Sequence, residues 1–256
     1  AGGAQGGGGA EAARGVLDEA EAVADRVLAF LRGRGPAGVE GRTLDKILRW
    51  DNDQLERVHD FIQWLFPTDE RSRAHPEAPV LTPRAIREAR ADPGIIKNVD
   101  RGLVLFLHFL GLEWVDWRGH PRCVSKRRGE DSFEERARVA WKVNCAEGNH
   151  NWKRVSRMLS CLRLLGMRPE LQAVYARLER LWARGRIPAA AAAATAHWRT
   201  CAGDPLKRPM PKYGSRLAVH STWAKYAVVA GCRKPPRVSD PSDRQVSERF
   251  DELEDG

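Results

Sequence analysis

Residues 92–111 read DPGIIKNVDRGLVLFLHFLG, and this stretch decides the fold class. Asp92 is a typical N-cap, Pro93 suits the first position of a helix, and Gly111 suits the position just after its end. Between them, apolar side chains cover most of a helical surface: Ile95, Ile96, Val99, Leu103, Phe106, Leu107 and Leu110. Because a helix that is apolar on most sides has to be covered by neighbours, the stretch predicts a central buried helix.

Similar start and stop signals recur on both sides of this helix. Thr82-Pro83 opens a short helix, and Ser132 with Glu135 forms a capping box for another. Apolar residues with helical spacing predict further helices over 11–32, 44–66, 149–165 and 169–183, and an alanine run begins a last one at 189. Since no β-branched run alternates with polar residues, we predict an all-α domain of about seven helices after the N-terminal one.

Composition divides the chain into four parts. Six of the first nine residues are glycine, so residues 1–10 are predicted to be a disordered head. Residues 11–34 form an N-terminal amphipathic helix with its stop signal, and residues 44–203 form the helical domain. Residues 204–256 are a Pro/Arg-rich tail with an acidic end.

The charge of the chain is unevenly distributed. The net charge is +9, so nucleic acid or anionic lipid are possible partners, although the charge does not require them. The last ten residues, by contrast, hold five acids and one arginine. A basic body with an acidic end can fold on itself or on a partner. Two tail segments, 217–229 and 243–253, have the pattern of short helices that need a docking surface. The basic run at Arg118, Arg122, Lys126, Arg127 and Arg128 resembles a nuclear-import or phosphate-contacting patch, although most such runs are solvated surface.

The sequence also argues against several classes of site. The five cysteines contain no C-x-x-C pair, which favours a reducing compartment and argues against a disulfide framework. His120 and Cys123 have the spacing of zinc ligands but lack a second pair, so we predict no metal and no cofactor. The longest apolar run, 103–112, is about half a bilayer span, which excludes a transmembrane helix. Because the first residue is alanine, removal of a targeting segment, and hence an organelle location, stays open.

Polar residues follow one flank of the predicted helix 44–66. On a helical wheel Glu56, His59 and Gln63 fall together, whereas Trp64 points the other way. We interpret this seam as a source of buried hydrogen bonds between packed helices, and a ligand-facing role of His59 or Gln63 is the alternative. Acid–base catalysis by Glu56 and His59 would lack a nucleophile and an oxyanion hole, so we predict no enzyme.

A second group of polar residues begins the helix after Asn149. His150, Arg154 and Arg157 share one side near free backbone N–H groups, an arrangement that suits a carboxylate or phosphate. The alternatives are a solvated face or ion pairs with Asp51 or Asp53. We predict that the two helices touch, through His59 or Gln63, or through an acid paired with Arg154 or Arg157. The acids considered for that pairing are Asp51, Asp53 and Glu56.

These two segments carry a family resemblance. Residues 55–67 match the pattern L-E-x-x-H-x-x-I-Q-W-L-F-P, and residues 150–166 match H-N-x-x-R-x-x-R-x-L-x-x-L-x-x-L-G. Further along the chain, Ile187-Pro188 matches a short proline turn that comes after the second motif. In these motifs, and over about residues 44–203, the chain resembles the conserved region of the opioid growth factor receptor.

The resemblance implies an intracellular, non-enzymatic, all-helical protein with peptide-receptor activity toward the opioid growth factor. It also implies a place at the nucleus or cytoplasm and peripheral membrane association without a membrane span. A short aromatic peptide needs an aromatic slot, an acid and a cation. The candidate ligand-binding residues are Asp51, Glu56, His59, Gln63, Trp64, His150, Asn151, Trp152, Arg154 and Arg157. The alternatives are a helical scaffold subunit of a larger assembly and a nucleic-acid-associated basic protein.

Overall fold

The computed structural model describes residues 7–203 except 39, 73–74, 77, 116–122 and 142–148. Within this part the fold is predominantly helical, with two antiparallel sheets of two strands each, so the predicted fold class is confirmed. The tail segments 217–229 and 243–253, His120 and part of the basic run lie outside the described residues.

The described part of the chain contains ten α-helices and four short strands. The helices are α1 (Gly7–Leu31), α2 (Leu44–Ile47), α3 (Asn52–Arg57), α4 (Ile62–Leu65), α5 (Pro83–Ala91), α6 (Pro93–Phe109), α7 (Phe133–Val139), α8 (His150–Leu164), α9 (Arg168–Ala183) and α10 (Ala192–Ala202). The strands are β1 (Pro36–Ala37), β2 (Arg42–Thr43), β3 (Leu112–Val115) and β4 (Cys123–Lys126). β1 pairs with β2, and β3 pairs with β4 with Leu112 opposite Lys126.

Helix α6 is the predicted central helix. The Asp92 carboxylate accepts hydrogen bonds from the backbone N–H groups of Gly94 and Ile95, at 2.9 and 3.3 Å, as an N-cap should. Its apolar residues are buried on several sides, and Gly102 lies so close to α4 that a Cβ there would stand 2.6 Å from Leu65 Cδ1. The start signals at Thr82 and Ser132 are likewise confirmed as N-caps of α5 and α7.

The predicted helix 44–66 is wrong, because the chain forms α2, α3 and α4 in its place. Asp51 caps α3 through a capping box with Gln54, which starts a new helix instead of continuing the old one. Val58 then adopts an extended conformation (φ −88°, ψ 127°), so α3 ends there. The flank shared by Glu56, His59 and Gln63 on a helical wheel therefore does not exist, and the described helices exceed the predicted number.

Two other boundaries differ from the predictions. Helix α1 begins at Gly7, so residues 7–10 of the predicted disordered head are its first turn. The predicted loop 118–131 contains strand β4, because Val124 and Ser125 are buried and Arg177 of α9 donates a 2.6 Å hydrogen bond to the Val124 carbonyl. Tertiary contact thus makes a strand where the local sequence indicates a loop.

The N-terminal helix is fixed at its C-terminal half. Arg84 of α5 forms ion pairs with Glu21 and Asp25, and Asn98 of α6 donates to the Leu31 carbonyl at 2.8 Å. Towards its start, Val16 and Leu17 remain 67% and 65% exposed. Among the described helices none combines the length and the apolar character that crossing a bilayer would require.

Candidate functional site

The two motif segments meet where α3 ends and α8 begins. Arg154 donates from Nη1 to the Leu55 carbonyl at 2.7 Å and from Nη2 to the Val58 carbonyl at 2.8 Å. The Asn151 side-chain oxygen accepts a further hydrogen bond from Arg154 Nη1 at 2.9 Å. We name these residues, together with Glu56, the α3–α8 junction. The predicted contact between the two segments is confirmed.

The atoms that make this contact differ from those predicted. Glu56 accepts a 3.0 Å hydrogen bond from Asn151, and its other oxygen lies 3.3 Å from His150 Nε2. Asp51 serves as the N-cap of α3, and the two arginines bind carbonyl oxygens instead of acids. The reason is that α3 and α4 are both short: carbonyl groups at their C-terminal ends lack helical partners, and the two guanidinium groups satisfy them.

Burial decides what Arg154 and Arg157 can bind. Arg154 is only 4% exposed and lies over the Phe61 ring, and its burial lowers its pKa to about 10, against the attraction of Glu56. Arg157 donates from Nε to the Phe66 carbonyl at 3.0 Å, and its Nη2 is buried. Both cations therefore point into the domain, and their hydrogen bonds hold α3 and α4 against α8.

The remaining predicted residues divide into buried and accessible ones. Gln63 is buried, and its amide nitrogen donates to the carbonyls of His59 and Asp60 in the orientation that satisfies both. Trp152 is buried. Trp64 is half-buried, and its ring packs edge to face against that of Phe30, with 5.7 Å between the ring centroids. The accessible or half-buried members are Asp51, Glu56, His59, Trp64 and His150.

His59 makes the junction sensitive to pH. Its ring lies 5.0 Å from the His150 ring, and its pKa is lowered from 6.5 by desolvation, by the charge of Arg154 and by His150. Because the folded state resists protonation of His59, its contribution to stability is intact above pH 6.5 and is lost as the pH falls through its folded pKa. We expect His59→Gln to reduce the loss of unfolding free energy between neutral and mildly acidic pH, as measured by urea denaturation. An equal loss of unfolding free energy in the wild type and in His59→Gln would contradict a lowered pKa of His59.

A second candidate site, which the sequence reasoning missed, is a groove between α9 and α10. Its volume is about 400 Å³, and it is lined by Tyr175, Leu178, Glu179, Trp182, Ala183, Thr195, Ala196, Trp198 and Arg199. Of its aromatic side chains Tyr175 and Trp198 are buried and Trp182 is half-buried, so Trp182 supplies most of the exposed aromatic surface. The volume lies within the range of small-ligand sites. The signal that could have found it is the i, i+4, i+7 spacing of Tyr175, Glu179 and Trp182, which puts them on one face of α9.

The polar groups of the groove lie side by side. Tyr175 donates its hydroxyl hydrogen to Glu179 Oε1 at 2.7 Å, and Arg199 Nε donates to the Tyr175 hydroxyl at 3.3 Å. Arg199 Nη2 lies 3.5 Å from Glu179 Oε1, with side-chain exposures of 73% and 50%. The groove thus presents a cation and an acid beside an aromatic wall. In the described part of the chain no three or more His, Cys, Asp or Glu side chains cluster as a metal site would require.

The sequence of the chain is similar to those of known proteins. The family model described as "Opioid growth factor receptor (OGFr) conserved region" matches residues 27–185. The chain is 30% identical over 146 residues to opioid growth factor receptor-like protein 1 of Xenopus tropicalis, covering 54% of this chain and 25% of that protein. It is 29% identical over 143 residues to the Rattus norvegicus protein of the same name, covering 54% and 28%.

The matches cover a small share of the relatives but a large share of this chain. The chain spans about a quarter of the length of the curated relatives that it matches, and no solved structure matches it. The family model, however, covers more than half of the chain and includes α2 to α9, both motif segments and the α3–α8 junction. The chain therefore belongs to the opioid growth factor receptor conserved region family.

Proposed function

We propose that the domain binds a short peptide with an aromatic side chain, and that the α9–α10 groove holds it. The observation that carries the proposal is the groove itself, because it brings the half-buried Trp182 ring next to the accessible Glu179 and Arg199 side chains. Such a peptide carries an aromatic ring, an amine and a carboxylate, which these three groups complement. The receptor-like names of the relatives support the same class of ligand.

The geometry favours the groove over the α3–α8 junction as the binding place. The guanidinium groups of Arg154 and Arg157 already donate to backbone carbonyls, and Trp152 is 5% exposed. A peptide carboxylate at the junction would have to replace buried hydrogen bonds to charged donors, which are worth about 1.5–3 kcal/mol each. The Arg199 side chain lies mostly in solvent, so exchanging its ion pair with Glu179 for one with a peptide carboxylate costs little free energy.

Calorimetric titration of the full chain tests this proposal. We expect the opioid growth factor peptide to bind as the free acid, and Arg199→Ala to weaken that binding by up to about fivefold, because ion pairs made by exposed cations are weak. The amidated peptide should lose little, whereas Trp182→Ala should weaken both peptides. Arg87→Ala, an exposed arginine on α5, is the matched control.

Two outcomes would contradict the proposal. Absence of heat and of any thermal shift at millimolar peptide would end peptide binding as the function. Binding that Arg157→Ala abolishes and Arg199→Ala leaves intact would place the ligand at the cations of α8 and not in the groove.

A scaffold role is the second candidate, and one observation favours it. Val16 and Leu17 are exposed on adjacent positions of α1, before the ion pairs of Arg84 with Glu21 and Asp25 anchor the helix. Contiguous exposed apolar patches mark surfaces that pack on other proteins, and in this proposal Val16 and Leu17 are the apolar part of such a patch. Val16→Ser with Leu17→Ser should then reduce co-purification of partners from the native source without changing the melting temperature. We also propose, from the family resemblance, that the protein is located in the nucleus or at the membrane periphery.

A further inference from the structure

The α9–α10 groove holds an acid and a cation close together. Arg199 Nη2 lies 3.5 Å from Glu179 Oε1, and both side chains are accessible to solvent. The Tyr175 hydroxyl bridges them, because it donates to Glu179 at 2.7 Å and accepts from Arg199 Nε at 3.3 Å. Burial raises the pKa of Tyr175 above its ordinary value of 10.0, so the hydroxyl stays protonated at neutral pH. One buried hydroxyl therefore holds the acid and the cation side by side.

The separation of these two charges suits the zwitterion of an α-amino acid. A single carbon joins its ammonium and carboxylate groups, which keeps them about 3 Å apart. The ammonium group can donate to Glu179 while the carboxylate accepts from Arg199, and opening the exposed ion pair between these two residues costs little. The ends of an extended peptide of about five residues lie about 17 Å apart, so such a peptide reaches both groups only by bringing its ends together.

Beside the two charges the groove has room for one aromatic side chain. Trp182 follows Glu179 by three positions on α9, so both lie on one face of that helix, and the Trp182 ring is half-buried. Ala183 beside it and Ala196 on α10 also line the groove, and each carries only a methyl group. A ligand ring can therefore pack on Trp182 in the offset or edge-to-face geometry that aromatic pairs prefer. The volume of about 400 Å³ lies near the lower end of the range of small-ligand sites, which suits one amino acid.

We infer that the α9–α10 groove binds a free aromatic α-amino acid, with its ammonium group on Glu179, its carboxylate on Arg199 and its ring on Trp182. Tyr175 is a positioning residue, because its hydroxyl holds the two charged side chains at the spacing of the ligand. The first residue of a peptide has only the ammonium group, and the last has only the carboxylate, so the groove discriminates the free amino acid from either. This ligand goes beyond the proposed function and competes with its peptide for the same groove.

Nuclear magnetic resonance of the full chain tests the ligand class. The probe is the indole N–H signal of Trp182, assigned by its loss in Trp182→Phe. We expect L-phenylalanine to shift this signal saturably and L-alanine, which lacks the ring, to leave it unmoved. L-phenylalaninamide lacks the carboxylate and N-acetyl-L-phenylalanine lacks the ammonium group, so each should bind about twofold to fivefold more weakly. No saturable shift with millimolar L-phenylalanine, or equal affinity for either analogue, would overturn the inference.

Variants of the full chain assign each group of the ligand to its partner. Arg199→Ala should weaken L-phenylalanine about twofold to fivefold and leave L-phenylalaninamide unchanged, and Glu179→Gln should do the same with N-acetyl-L-phenylalanine unchanged. Tyr175→Phe keeps the ring but removes the bridge, so it should shift the Arg199 Nε–H signal and reduce the preference for L-phenylalanine over both analogues. A preference that Tyr175→Phe leaves intact would overturn its positioning role.

A substitution that fills the groove tests where the ring lies. Ala196→Leu should abolish the saturable shift, because leucine occupies the space beside Trp182. Ala193→Leu, at an exposed position of α10 outside the lining residues, is the matched control and should bind as the wild type does. Binding that Ala196→Leu leaves unchanged would overturn the placement of the ring. The analogue series on the unaltered chain tests the ligand class even if Ala196→Leu fails to fold.

Titration with the opioid growth factor peptide separates this inference from the proposed function. If L-phenylalanine shifts the Trp182 signal and the peptide does not bind, the proposed function fails and the amino-acid site stands. If the peptide shifts the signal and L-phenylalanine does not, the amino-acid site is overturned and the proposed function stands. If both bind, L-phenylalanine should raise the apparent dissociation constant of the peptide, and an unchanged constant would overturn a shared groove.

Discussion

Replacing Arg154 by alanine is expected to lower the free energy of unfolding by about 3–5 kcal/mol. The change removes hydrogen bonds from a charged donor to the carbonyls of Leu55 and Val58 and to the Asn151 side chain. The Leu55 carbonyl lies in the last turn of α3 and the Val58 carbonyl directly after it, and both would be left without these partners. Since small domains are stable by about 5–15 kcal/mol, this loss is a large fraction of the total.

Urea denaturation of the full chain measures the effect. Lys153→Ala, an exposed neighbour on the same helix, is the matched control and should change stability by less than about 0.5 kcal/mol. Arg154→Lys should be intermediate, because an ammonium group cannot span both carbonyls as a planar guanidinium does. A loss at Arg154→Ala no greater than that at Lys153→Ala would show that the α3–α8 junction is not a main source of stability.

Gly111→Ala is the second substitution with a large expected effect. Gly111 ends α6 with φ 74°, and a Cβ there would stand 2.6 Å from Phe133 Cα and 3.0 Å from Phe133 N. The left-handed conformation costs alanine about 1–2 kcal/mol, and displacing the backbone of α7 adds about 1–3 kcal/mol. We therefore expect a total loss of about 2–5 kcal/mol.

The chain contains a control for the conformational part of this effect. Gly129 has nearly the same φ, 76°, but a Cβ there would meet nothing within 4 Å. Gly129→Ala should therefore lose only about 1–2 kcal/mol. Thermal denaturation of both variants compares them directly, and equal melting temperatures would contradict the close packing of α6 against α7.

Local signals explain what the sequence could predict about the fold. The N-caps at Thr82, Asp92 and Ser132 and the glycine after α6 act within one turn of the chain, so they are readable without knowledge of the fold. Strand β4 depends instead on the contact of Val124 with Arg177, more than fifty residues away. No local pattern encodes that contact.

The break between α3 and α4 limits what could be predicted about the site. A helical wheel places Glu56, His59 and Gln63 together only if the helix continues through Val58, and it does not. The proximity of the two motif segments was correctly predicted, because buried polar groups require partners. The partners of Arg154 were not, because the carbonyls it binds become available only through the break.

The α9–α10 groove escaped prediction for another reason. Tyr175 and Trp182 have the spacing of core residues, and a sequence does not say whether such a face is covered or open. Only the packing of α10 beside α9 shows that Arg199 and Glu179 flank an accessible cleft.

In the proposed function the peptide binds in the α9–α10 groove and not at the α3–α8 junction. Two nuclear magnetic resonance probes report on the two places: the indole N–H of Trp182 in the groove, and the ring C–H of His150, whose Nε2 lies 3.3 Å from Glu56 of the junction. We expect titration of the full chain with the opioid growth factor peptide to shift the Trp182 signal saturably and to leave the His150 signal unchanged. A saturable shift at His150 with Trp182 unmoved would contradict binding in the groove.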